Sequence, residues 1–70
     1  MNMPPYSMEI VWSDDDRCFV VSLPEWGDLA KTFGDTYEEA VRNGQEALQG
    51  LIESYQIEGR PLPEPRKSVA

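Results

Sequence analysis

Three consecutive aspartates, Asp14-Asp15-Asp16, one cysteine, Cys18, and the absence of histidine are the features of this 70-residue chain that bear most directly on chemistry. Oxygen ligands suit calcium or magnesium, but neighbouring residues project in different directions, and no glycine and distal glutamate follow at the spacing of a calcium loop. The aspartates read instead as a solvated turn whose short side chains bond their own backbone. Without histidine the commonest general base and the commonest transition-metal ligand are missing, so any catalysis would rest on carboxylates. Cys18 has only Arg17 as a positive strand neighbour and no base, and reads as a buried structural thiol. Ser22 and Thr36 lie in no nucleophile motif, and no glycine-rich phosphate loop occurs. Glu9, Asp35 and Glu39 are the carboxylates a residual metal-dependent nuclease would draw on, although nothing in their spacing demands that they converge. No catalytic residue, metal or cofactor is expected.

These residues are carried by a short and strongly acidic chain. Thirteen acidic against six basic side chains give a net charge of -7, which repels phosphate backbones and argues against direct nucleic-acid binding, while favouring a basic protein partner. A single cysteine permits no internal disulfide and fits a reducing, cytoplasmic setting. No segment approaches the ~20 apolar residues of a membrane span, and the N-terminus lacks the charged start and apolar run of a leader. A domain of this length buries only about 60% of its unfolded surface, so a homo-oligomer, dimer or higher, is the expected state.

The positioning elements follow from hydrophobic period and turn chemistry. Tyr6, Met8, Ile10 and Trp12 alternate with Ser7, Glu9 and Val11, the period of a strand with one buried face. After the aspartate turn, Arg17 to Leu23 places Phe19, Val21 and Leu23 on one face and Cys18, Val20 and Ser22 on the other, predicting a central strand. Pro24 and Gly27 interrupt the pattern in a loop, and Leu29 to Phe33 resumes as a third strand of an antiparallel meander. Thr36 is placed to cap a helix, with the Glu39 carboxylate reaching back to the Thr36 amide in a capping box and Gly34 allowing a sharp turn into the cap. Tyr37, Ala40, Val41, Gly44, Ala47, Leu48, Leu51, Ile52 and Tyr55 then fall within a sector about 140° wide that would seal the sheet. Gly44 at its centre implies close backbone approach. This periodicity runs unbroken across Asn43-Gly44 and overrides the local hairpin signal. Gly59 is the expected C-cap. In Pro61-Leu62-Pro63-Glu64-Pro65 the prolines leave one edge able to pair, giving either a short fourth strand or a polyproline-like tail, and Arg66 to Ala70 are expected to fray.

Two surface features stand out. Glu39, Glu46 and Glu53 recur every seven residues on the helix flank opposite the apolar sector, with Glu38 and Arg42 nearby. They form either an ordinary solvated face or an acidic stripe for a basic partner. Trp26, in the loop after the second strand, either caps one end of the core or serves as an aromatic anchor for another protein.

The order of these residues resembles the HicB-type antitoxin family over most of the chain. The resemblance rests on Tyr6 to Trp12, the aspartate turn, Phe19-Val20-Val21-Ser22-Leu23-Pro24-Glu25, Thr32-Phe33-Gly34-Asp35-Thr36-Tyr37-Glu38-Glu39-Ala40, and Gly59 with Leu62-Pro63-Glu64-Pro65. It implies one α+β domain over residues 1–65, with a β-β-β-α-β order similar to a reduced ribonuclease-H-like fold lacking an active site. It further implies a non-catalytic, antitoxin-like module that neutralises a small basic RNA-cleaving toxin of the HicA type. Trp26, Glu38, Glu39, Glu46 and Glu53 are the candidate partner-binding residues. Family members often carry a C-terminal DNA-reading segment. The five residues after Pro65 hold none, so autoregulation by this chain is not expected. The residual nuclease, or a structural module with a small-ligand pocket between protomers, is the alternative.

Overall fold

A computed structural model describes residues 5–66. Three antiparallel strands, β1 (Glu9–Ser13), β2 (Cys18–Ser22) and β3 (Lys31–Gly34), form a sheet in the order β1-β2-β3, and one helix, α1 (Tyr37–Glu58), packs on it. The α+β class, the meander and the central place of β2 follow the sequence pattern. Asp14 to Arg17 make the first reversal, in which Arg17 adopts a positive φ of 56° and donates its amide to the Ser13 carbonyl at 2.8 Å.

β1 begins later than the alternation predicts, at Glu9 rather than Tyr6. Glu9 pairs with Ser22, the last residue of β2, so Tyr6 to Met8 have no ladder partner. Beyond Ser22 the Leu23 amide bonds instead to Ala30, and Pro24–Trp26 wind into a short 3-10 turn. A second turn, closed by the Ala30 amide on the Gly27 carbonyl at 3.3 Å, takes the expected start of β3. Leu29 lies in a turn and is 97% exposed, and the strand opens at Lys31.

The helix is specified at both ends by local chemistry. Thr36, in extended backbone, accepts the Glu39 amide on its hydroxyl at 3.1 Å. The Glu39 carboxylate returns one residue further than expected, accepting the amide of Asp35 at 2.9 Å rather than that of Thr36. At the other end Gly59 is left-handed. Its amide bonds to the Gln56 carbonyl and the Arg60 amide to the Tyr55 carbonyl, the paired closure of a Schellman motif.

The core is thin: Val21, Leu23, Ala40 and Leu48 are its buried side chains. Gly44 is buried with them. A Cβ there would stand 2.7 Å from the Met8 sulfur and 3.0 Å from a Val21 methyl, which is the close approach that the helix period implies. Aromatic clusters close the two ends of this core. Phe19 stacks on Tyr37 and takes the edge of Trp12 at one end, while Trp26 packs between Tyr6 and Tyr55 at the other.

Of the two alternatives for the proline-rich segment, the short fourth strand does not form among the described residues, since residues 61–66 carry no ladder. The Pro63 carbonyl is taken by the Tyr6 hydroxyl at 2.7 Å, a side-chain bond in place of strand pairing. Of the tail expected to fray, Arg66 is tied by its amide to Glu25, and residues 67–70 lie outside the described residues. Among the described residues no helix is long and apolar enough to cross a membrane.

Candidate functional site

The 3-10 turn positions two side chains, Glu25 and Trp26, that bond or pack against distant parts of the chain. Proline at its first position presets the backbone angle, and the turn throws Glu25 and Trp26 back across the end of the core. Trp26 is half-buried, with ring centroids 5.0 Å from both Tyr6 and Tyr55, the latter edge to face. Arg60 extends the ladder, its guanidinium lying 4.1 Å from the Tyr55 centroid while it bonds Glu58 at 3.3 Å. Trp26 therefore joins the N-terminal segment, the loop and the helix. Among the described residues its buried indole nitrogen has no hydrogen-bond partner.

Glu25, which sequence reasoning passed over, holds the two chain ends together. Its carboxylate accepts the Ser7 amide at 2.9 and 3.1 Å and the Arg66 amide at 2.9 Å. Partial burial raises the Glu25 pKa, but the Arg66 and Ser7 amides outweigh it and hold the carboxyl below its ordinary value. A carboxyl lowered in the folded state stabilises it above the unfolded pKa of about 4.3, and that contribution disappears as pH falls through the folded value. Acidification also relieves the repulsion of the net charge of -7, so the quantity to measure is the difference between wild type and Glu25→Gln. The stability advantage of wild type should shrink steadily below about pH 4.3, read as converging thermal midpoints. A constant gap from pH 6 to pH 3 would contradict the clamp.

The glutamates of the helix divide into two kinds. Glu39 is half-buried and engaged at the cap, so its carboxylate is already partnered. Glu38, Glu46 and Glu53 are exposed, and the one ion pair among the described residues is Arg60 with Glu58. Glu38 lines a shallow open depression with Tyr37, Val41, Arg42 and Gln45, and Glu53 a second with Gln56 and Ile57. Tyr37 and Val41, both counted in the apolar sector, remain exposed. The structure thus brings Glu38 beside exposed apolar surface and keeps Trp26 apart from the acidic row.

The carboxylate-rich turn is internally satisfied. Asp14 accepts the Trp12 indole N–H at 2.8 Å, and Asp16 accepts the Ser13 hydroxyl at 3.1 Å. Among the described residues no three of His, Cys, Asp and Glu come together in a group able to hold a metal ion, and Glu9, Asp35 and Glu39 form no such group. Cys18 departs from expectation: it is only half-buried, and as the neighbour of core-facing Phe19 it points to the uncovered side of the sheet. Burial, then the charges of Asp16 and Asp35, push its thiol up, opposite to the activation a nucleophile needs.

One contact that sequence reasoning weighed differently is that of Asn43. Its side-chain amide donates to the Phe33 carbonyl at 2.6 Å, fastening the helix to the outer edge of β3. Compared with known protein families, curated proteins and solved structures, the chain shows no match.

Proposed function

We propose that the domain is a non-catalytic protein-binding module of the HicB antitoxin type, a reduced ribonuclease-H-like fold that occludes a small basic RNA-cleaving toxin. The observation that carries this reading is the unneutralised charge: a net -7, with Glu38, Glu46 and Glu53 exposed along one helix and free of ion pairs among the described residues. Such a field accelerates encounter with a cationic protein and repels nucleic acid. The Tyr37 and Val41 surface beside Glu38 supplies the apolar contact that a specific complex adds to steering. The cytoplasm, where the RNA substrates of such a toxin reside, is the compartment this reading requires.

The test is association with a small basic toxin of the HicA type, sought first among the proteins encoded beside this chain and followed by stopped-flow or surface methods. Raising ionic strength from about 0.1 M to about 1 M shortens the screening length from about 10 Å to about 3 Å, and the association rate should fall at least about ten-fold. A triple Glu38→Lys, Glu46→Lys, Glu53→Lys variant should show a similar loss at low salt while keeping its fold, since none of the three is bonded among the described residues. No binding, or binding indifferent to salt and to the triple change, overturns the reading.

A further inference from the structure

The helix covers one face of the sheet, and among the described residues no element covers the other. Val21 is 0% exposed and lies against Gly44, so strand alternation sends Val20 to the opposite side. The strand register extends this assignment across the sheet. Val11, Val20 and Phe33 are direct partners and form one transverse row; Glu9, Ser22 and Lys31 form the next. Val11 is 63% and Phe33 52% exposed. A wetted antiparallel face is ordinarily polar, whereas here its central row is apolar from edge to edge.

The charges beside that row are arranged asymmetrically, with an acid on β1 and a lysine on β3. A half-turn about an axis parallel to β2 lays this face on its own copy with β1 over the partner's β3. The apolar row then meets itself in reverse order, and Glu9 of each copy stands over Lys31 of the other. Two sheets packed this way lie about 10 Å apart. We infer that the open sheet face, centred on Val11, Val20 and Phe33 and flanked by Glu9 and Lys31, is the docking surface for a second copy of this chain. A uniformly basic partner would satisfy Glu9 and oppose Lys31. A second copy satisfies both, which favours the self-complex. Three short strands offer only a few hundred Å² per copy, below the ~800 Å² of a standard interface, so the dimer is weak and concentration-dependent.

Sedimentation of the full chain from low micromolar to millimolar concentration should show a reversible monomer–dimer equilibrium. Lys31→Glu alone, and Glu9→Lys alone, should each weaken it at least about ten-fold, and the double exchange should restore it. Cys18 and Val20 lie beside the axis, so a short bis-maleimide should join Cys18 to Cys18 of the partner subunit at concentrations where the dimer forms. Phe33→Asp should abolish both signals. Since that change could also disturb the sheet, the charge exchange is the deciding experiment. A monomer at all concentrations, a dimer insensitive to the single charge changes, or an exchange that fails to restore it overturns the inference. So does a Phe33→Asp variant that keeps the dimer and loses the basic partner. Toxin binding through the acidic helix face would survive a purely monomeric result, so this inference and the antitoxin reading can fail separately.

Discussion

Trp26→Ala is expected to destabilise the domain by about 2–4 kcal/mol, measured by urea or thermal unfolding, against a total stability of about 4–10 kcal/mol for a chain of this length. The ring fills the space between Tyr6 and Tyr55, and both contacts are aromatic pairs that contribute beyond their buried area. Removing it also loosens the Tyr6 hydroxyl from Pro63 and the carboxylate of the neighbouring Glu25 from both chain ends. Trp26→Phe separates ring from donor. It keeps much of the packing and removes a buried indole N–H that has no partner among the described residues, a group whose desolvation costs about 1–3 kcal/mol. The phenylalanine variant should therefore lie within about 1 kcal/mol of wild type. An alanine variant as stable as wild type would return Trp26 to the surface as a free anchor. The same pair bears on partner binding: an affinity lost on Trp26→Ala and retained by Trp26→Phe reports damage to the domain, whereas loss in both marks the indole itself as the contact.

What the sequence made legible was chemistry confined to a few consecutive residues. Thr36 with Glu39 and the left-handed Gly59 announce the helix ends because capping is satisfied within one turn. The alternation of Phe19, Val21 and Leu23 gives the central strand because a sheet with one covered face imposes period two. Legibility failed where the partner is distant. Tyr6 to Met8 alternate correctly yet make no strand, since what decides is the end of β2 at Ser22. The tail carries a strand-compatible proline pattern, but the Tyr6 hydroxyl and the Glu25 carboxylate reach it first. Glu25 itself bonds residues 18 and 41 positions away, and no local pattern marks such a clamp. The bare sheet face was half legible: Cys18, Val20 and Ser22 were separable from the core face, but only the register with Val11 and Phe33 assembles the apolar row.

The glycines convert these distances into the second large effect. Gly34 was expected to supply freedom for a sharp turn, but its φ is not positive, and the requirement is one of space. A Cβ on Gly34 would stand 2.6 Å from the Ala40 Cα and 2.9 Å from the Glu39 carbonyl carbon. These are backbone atoms of the first helical turn and cannot rotate aside. Gly34→Ala must therefore push the helix start off the sheet. That movement strains the Thr36 and Asp35 bonds of the cap and the Asn43 bond to Phe33. Overpacking commonly costs 1–3 kcal/mol, and a backbone clash belongs at the upper end, so a loss of about 3 kcal/mol is expected. Gly44→Ala should be nearly neutral. Its closest neighbour is the flexible end of Met8, and the gain of about 1 kcal/mol in helix propensity offsets the tighter contact with Val21. Gly50, with nothing within 4 Å of its added carbon, should gain about 1 kcal/mol on the same change. Unfolding curves for the three alanine variants should rank Gly34 far below Gly44 and Gly44 below Gly50. A Gly34→Ala variant as stable as Gly50→Ala would mean that the helix does not sit on the strand end at this distance, and the surface that carries Glu38 beside Tyr37 would then be placed differently.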